Sequence, residues 1–80
     1  MNISEAVRLR ILELCNERRI TINKLSTICG ITQSTLNNLI HRENSSATVS
    51  TIKKICDGLE ITMAQFFNSE IFDLTEQEIK

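Results

Sequence analysis

The stretch that decides the fold runs from Thr21 to His41 and reads TINKLSTICGITQSTLNNLIH. Thr21 and Thr32 are typical N-cap residues, and Gly30 is suited to the left-handed backbone conformation that ends helices. The stretch therefore predicts two short helices joined by a three-residue turn, with the small Ser26 where the helices approach closely. The apolar contacts expected between these helices come from Leu25, Cys29, Ile31, Leu36 and Leu39.

The rest of the chain shows helical spacing of apolar residues and no alternation long enough for a strand. Helix 1 is expected from about Ser4 to Arg19. Helix 4 begins after Thr48, beyond a polar loop over residues 42–47, and Thr62 with Gln65 predicts a capping box for helix 5. The residues expected to face the core are Val7, Ile11, Leu14, Cys15, Leu25, Ile28, Cys29, Leu36, Leu39, Ile40, Val49, Ile52, Ile55, Cys56, Leu59, Met63, Phe66 and Phe67. The sequence thus predicts an all-α domain of five helices over residues 1–69.

An acidic tail, residues 70–80, follows that domain with four Asp or Glu and one Lys. Thr75 with Glu78 predicts another capping box there. Three tail residues are too apolar for a free end: Ile71, Phe72 and Leu74. Leu9 and Leu12 lie on the outer face of helix 1, and we expect the tail to cover them, either in its own chain or in a dimer partner.

Composition limits the class of protein. Eighty residues suffice for one compact domain, and 41% hydrophobic with 24% charged residues is typical of a soluble globular protein. No apolar run is long enough to span a bilayer, and the N-terminus does not resemble a signal peptide, so we expect a cytoplasmic protein. The net charge of −1 hides an asymmetry, because residues 1–69 carry eight basic and six acidic side chains. A weakly basic body precedes the acidic tail.

The cysteines and the histidine indicate neither a catalytic site nor a metal site. Cys15, Cys29 and Cys56 lie far apart without a CxxC pair, and His41 is distant from them in sequence. Because free cysteine is a frequently buried residue, we expect core packing rather than a zinc site. No nucleophile elbow, glycine-rich phosphate loop or paired-carboxylate pattern occurs, so the sequence indicates no enzyme, no metal ligand, no cofactor and no small-molecule ligand.

The second helix of the central pair presents uncharged polar side chains on its outer face. Gln33, Ser34, Asn37 and Asn38 both donate and accept hydrogen bonds, as recognition of base edges in a DNA major groove requires. A polar face is often merely solvated. This polar face, however, lies on the second helix of a pair in which Ser26 and Gly30 have the spacing that close helix packing and a tight turn require. That context favours recognition of bases.

Residues 7–67 resemble the Xre/Cro-like helix-turn-helix family, with INKLSTICGITQSTLNNLI as the helix-turn-helix and TVSTIKKICDGLEITMAQFF as two closing helices. The resemblance implies a lambda-repressor-like DNA-binding domain whose helix-turn-helix is formed by helices 2 and 3, with helix 3 as the recognition helix. It implies that Gln33, Ser34 and Asn38 read bases. It also implies that the residues near the DNA backbone are Thr21, Lys24, Thr32, Thr35, His41 and Arg42.

The same resemblance implies a transcriptional regulator, acting as a repressor on double-stranded DNA and working as a homodimer that reads two half-sites. The sequence departs from the family at Cys15 and Ile40, where many members have a buried arginine and glutamate. It also has Ile22 in place of an amide and Arg42 in place of a glycine. The alternative is a protein-interaction module, such as an antitoxin or an adaptor, that keeps this fold.

Overall fold

The computed structural model describes residues 1–42 and 45–79, so residues 43 and 44 of the predicted loop and Lys80 of the tail lie outside the described residues. These ranges contain five α helices followed by a short 3₁₀ helix, and no strand. The helices are α1 (Ile3–Arg18), α2 (Ile22–Cys29), α3 (Gln33–His41), α4 (Val49–Leu59), α5 (Met63–Phe67) and the 3₁₀ helix (Glu70–Leu74). The predicted all-α class is confirmed. No helix in the described ranges is both long and apolar enough to cross a membrane.

Each α helix begins where a local side chain accepts a hydrogen bond from the backbone N–H three residues later. These N-cap residues are Asn2, Thr21, Thr32, Thr48 and Thr62. The capping box of Thr62 and Gln65 is present as predicted, and Gly30 ends α2 with a φ of +68°. Because such caps satisfy N–H groups that have no partner within the helix, they fix the helix starts from local sequence alone.

The core lies where all five α helices converge. Its buried residues are Val7, Ile11, Leu14, Cys15, Leu25, Cys29, Leu36, Leu39, Ile40, Ile52, Ile55, Cys56, Leu59 and Phe66. The prediction that the three cysteines are core residues is confirmed, since all three are free and buried. Burial raises the pKa of the Cys15 and Cys56 thiols, and it raises that of Cys29 to about 11.

Three residues expected in the core are instead solvent-exposed, namely Val49, Ile28 and Phe67. Val49 is 73% exposed because it is the first residue of α4, one turn before the buried Ile52. Ile28 precedes Cys29 directly, so it is rotated by about 100° from the residue that faces the core. Phe67 is 40% exposed, and Met63 is only partly buried. Apolar spacing predicted the buried face correctly but overestimated its width.

Helices α2 and α4 approach each other closely at Gly58. A Cβ atom there would lie 2.5 Å from the Cys29 Sγ and 3.0 Å from the Cys29 Cα. Glycine is therefore required by space rather than by backbone conformation. Ser26 is also buried, and its hydroxyl donates to the Asn23 carbonyl at 2.7 Å.

Arg10 is a buried charged residue that the apolar pattern did not predict. Its guanidinium donates from Nε to the Phe66 carbonyl at 2.6 Å and from a terminal nitrogen to the Gln65 carbonyl at 2.8 Å. The same group pairs with Glu13, and that carboxylate accepts a hydrogen bond of 3.4 Å from the Ser69 hydroxyl. Arg10 thereby joins α1 to the C-terminal end of α5, and Glu13 joins α1 to Ser69 at the start of the tail.

The tail follows α5 as the 3₁₀ helix, which contacts α1. The Phe72 ring lies 4.9 Å from the Phe67 ring and packs partly buried against the core. Leu9 and Leu12 nevertheless remain 41% and 37% exposed. The capping box predicted at Thr75 is wrong, because Thr75 ends the 3₁₀ helix and its hydroxyl donates to the Phe72 carbonyl. That hydroxyl is thus used to close a turn.

Candidate nucleic-acid interface

Helix α3 is divided into a packing side and an outer side. Leu36, Leu39 and Ile40 are buried and hold the helix against the core. The four residues proposed as base readers are all exposed on the outer side: Gln33, Ser34, Asn37 and Asn38. Within residues 1–42 and 45–79, their side chains form no hydrogen bonds with other side chains or with the backbone. Their donors and acceptors are therefore available to a ligand.

Threonine hydroxyls organise the start of both helices of the pair. The Thr21 oxygen accepts from the Lys24 N–H at 3.0 Å, which leaves the hydroxyl proton of Thr21 available. The Thr32 hydroxyl accepts from the Thr35 N–H and donates to the Thr35 hydroxyl at 2.8 Å, which leaves the Thr35 proton available. Backbone N–H groups of the first turn point out from each helix start, and such groups suit a phosphate.

The charge of this region differs from that of the whole chain. Residues 21–42 contain Lys24, His41 and Arg42 and no Asp or Glu, so all ten acidic residues lie elsewhere. All three basic residues are exposed. The overall charge of −1 conceals this pattern, although the sequence displays it directly. A region without carboxylates does not repel a polyanion, and its cations attract one.

Several other basic residues already have partners within the protein. Arg18 donates to the Leu59 carbonyl at 2.7 Å and so covers the C-terminal end of α4. Lys53 pairs with Asp57, whose hydrogen bond raises the pKa of the lysine. Arg10 is buried between α1 and α5. These residues stabilise the fold, so only some of the nine basic residues of the chain are candidates for contact with DNA.

The acidic tail is held on a different element from the polar face of α3. Glu70 and Asp73 belong to the 3₁₀ helix that contacts α1, and the Glu76 N–H donates to the Met1 carbonyl at 2.9 Å.

In the part of the chain that the structure describes, no three His, Cys, Asp or Glu side chains are arranged to hold a metal ion. The exposed polar residues of α2 and α3 thus lie on two neighbouring helices that carry basic and no acidic side chains.

The chain is similar to a known family of domains and to a solved structure. The family model of the Cro/C1-type HTH DNA-binding domain matches residues 10–70. The crystal structure of the prophage Lp1 protein 11 is similar, with 33% sequence identity and a TM-score of 0.77. That similarity covers 86% of this chain and 92% of the other. No protein with a curated description matches the sequence.

Proposed function

The chain belongs to the family of Cro/C1-type helix-turn-helix DNA-binding domains, and we propose that it is a sequence-specific transcriptional regulator that inserts α3 into the major groove. The observation that carries this proposal is the outer side of α3, where four exposed polar side chains lie on a helix anchored by three buried residues. Side chains that are already oriented and have no partner within the described residues are suited to direct readout of base edges.

The side chains proposed for base reading favour adenine. Gln and Asn can form bidentate hydrogen bonds with adenine N6 and N7, whereas bidentate contacts to guanine come mainly from Arg or Lys. None of the four positions carries Arg or Lys. We therefore expect adenines opposite Gln33 or Asn38 in the preferred site, with Ser34 and Asn37 completing the reading surface.

The residues at the ends of α2 and α3 are proposed to contact the DNA backbone. Their polar groups fit phosphate contacts in three ways: hydroxyl protons, side-chain cations and backbone amides at helix starts. The proposed set is Thr21, Lys24, Thr32, Thr35, His41 and Arg42. Such contacts set the register of α3 and supply sequence-independent affinity. Few of them are cationic, so the salt dependence of binding is expected to be shallow for a DNA-binding protein.

We further propose that the protein acts as a homodimer and as a repressor. One module of this size contacts little DNA, and a pair reading two half-sites about one helical turn apart gains both affinity and specificity. Repression would follow from occupancy of the operator.

In vitro selection of random duplexes with the purified chain tests the proposal. Enrichment of a two-part site containing adenines in each half is the expected result. If no sequence is enriched, the DNA-reading role is wrong and the protein-interaction alternative, as an antitoxin or adaptor, takes its place.

A further inference from the structure

The corner between α1 and α2 turns at Arg19, whose backbone is left-handed with a φ of +53°. The Arg19 N–H donates to the Asn16 carbonyl at 3.2 Å, and the Ile20 N–H donates to the Cys15 carbonyl at 3.0 Å. Ile20 is partly buried and packs against the core. These contacts close the last turn of α1, so they fix the conformation of residue 19 whatever side chain it carries.

Arginine is not the residue type that this backbone conformation favours. A left-handed residue with a Cβ atom is sterically crowded, whereas glycine adopts the conformation freely. The chain has glycine at the corresponding end of α2, where Gly30 has a φ of +68°. Glu60 ends α4 with a φ of +58°, so an unfavourable residue type alone does not identify a role. The surroundings of Arg19 have to identify it.

Arg19 lies beside the residues proposed to contact the DNA backbone. It is exposed, and it precedes the exposed Thr21 by two residues, so their Cα atoms are at most about 7 Å apart. Successive phosphates of one DNA strand are about 3.4 Å apart along the helix axis. Arg19 and Thr21 are therefore close enough to contact the same phosphate or adjacent ones.

The side chain of Arg19 has the chemistry that this corner otherwise lacks. The preceding Arg18 is used within the fold, because it donates to the Leu59 carbonyl at 2.7 Å. Ile22, the first residue of α2, is apolar and packs partly buried against the core. A guanidinium carries a fixed positive charge and several N–H donors that match phosphate oxygens. Arg19 thus places a cation next to the uncharged Thr21.

We infer that Arg19 contacts a DNA phosphate beside the start of α2, an inference that rests on the proposed function. The DNA-contacting surface then extends from α2 to the end of α1. This contact adds affinity that does not depend on base sequence. Because the same side chain is unfavourable for the backbone, its removal should lower affinity without lowering stability.

Arg19→Gly tests the inference in the full chain, because it removes the guanidinium and suits the left-handed backbone. In fluorescence anisotropy, we expect affinity to fall about three- to tenfold on the duplex enriched by selection and on an unrelated duplex of equal length. The log–log salt slope should decrease by about 0.9. The midpoint of thermal unfolding should equal or exceed that of the wild type, which separates lost contact from lost fold.

Two further variants serve as matched controls. Arg19→Lys keeps the positive charge and should retain the salt slope of the wild type. Glu60→Gly makes the same change of backbone preference at the end of α4. It should likewise leave the unfolding midpoint equal or higher, and it should not weaken DNA binding.

The Arg19 contact is wrong if Arg19→Gly binds both duplexes like the wild type, changes the preference between them, or unfolds at a lower temperature. It is also wrong if Glu60→Gly weakens binding equally, or if Arg19→Lys loses as much salt slope as Arg19→Gly. If selection enriches no site, the base-reading role fails while the unrelated duplex still tests the Arg19 contact. A wild type that binds neither duplex overturns both.

Discussion

Replacing the buried Arg10 with methionine is expected to destabilise the domain more than any other change of a basic residue to methionine within the described chain. The variant keeps an unbranched apolar stem and removes the guanidinium. The carbonyl groups of Phe66 and Gln65 then lose donors that lie at 2.6 and 2.8 Å in the wild type. The ion pair between Arg10 and Glu13 is also lost, and Glu13 is the residue that accepts the hydrogen bond from Ser69.

The expected magnitude follows from the surroundings of the two carbonyl groups. The hydrogen bond to Phe66 is buried, so its loss leaves an unpaired acceptor at a cost of about 2 kcal/mol. The bond to Gln65 is only partly buried, and water can replace the donor, so about 1 kcal/mol is lost there. A total of about 3 kcal/mol corresponds to a fall of roughly 12 to 24 °C in Tm for a domain of this size.

Thermal and urea unfolding followed by circular dichroism measure this change. Arg18→Met is the matched control, because Arg18 is exposed and makes one part-buried bond to the Leu59 carbonyl. We expect the control to lose about 1 kcal/mol or less. Equal losses for the two variants would refute the reasoning, since they would mean that the desolvation of Arg10 cancels its hydrogen bonds.

Four further predictions concern binding and packing. Asn38→Ala should weaken the preferred duplex by about 1–3 kcal/mol in fluorescence anisotropy and relax preference at one base position; equal weakening on all duplexes would exclude base reading. Lys24→Ala should reduce the log–log salt slope by about 0.9 without altering site preference, and an unchanged slope would remove Lys24 from the phosphate contacts. Gly58→Ala should destabilise the protein in urea unfolding, because crowding against Cys29 costs about 1–3 kcal/mol and exceeds the helix-propensity gain of about 1 kcal/mol. Raising the pH above about 8.5 should lower the midpoint of thermal unfolding. The Cys29 thiol of the unfolded chain loses its proton there, whereas the thiol of the folded chain keeps it up to a pKa of about 11. Cys29→Ala should make this decline of the midpoint with pH less steep.

The helix boundaries could be read from the sequence because their causes are local. A threonine three residues before a free N–H, or a glycine at the end of an apolar stripe, acts within one turn of the helix. Thr21, Thr32, Thr48 and Thr62 therefore begin the helices that the sequence predicts. Thr75 has the same local pattern but lies after a 3₁₀ helix, and its hydroxyl is used by Phe72 instead.

Features that depend on distant contacts were not predictable in this way. Arg10 is buried because its hydrogen-bond acceptors are the carbonyls of Gln65 and Phe66. These lie 55 and 56 positions further along the sequence, and no periodicity signals such distant partners. Val49 and Ile28 match the apolar spacing, yet the neighbouring helices do not extend over them. Gly58 gave a signal that could have been used, since a glycine within a helical stripe marks either a bend or a close approach.

The candidate interface was predictable to the extent that exposure follows from helical periodicity. With Leu36, Leu39 and Ile40 buried, geometry requires that the intervening polar residues of α3 face outward, as the structure finds. Which of these side chains meets which base depends on how the protein sits on DNA. That placement is set by the partner, so it stays a prediction for the binding experiments.

The separation of packing and polar positions along α3 has a consequence for how such a protein changes over time. Gln33, Ser34, Asn37 and Asn38 can be exchanged without opening a cavity, because none of them contributes to the buried core. The scaffold can therefore accumulate new side-chain combinations at these four positions while its stability stays constant. A library randomised at these positions should consist mainly of folded proteins, which makes the domain a tractable starting point for selecting altered binding preferences.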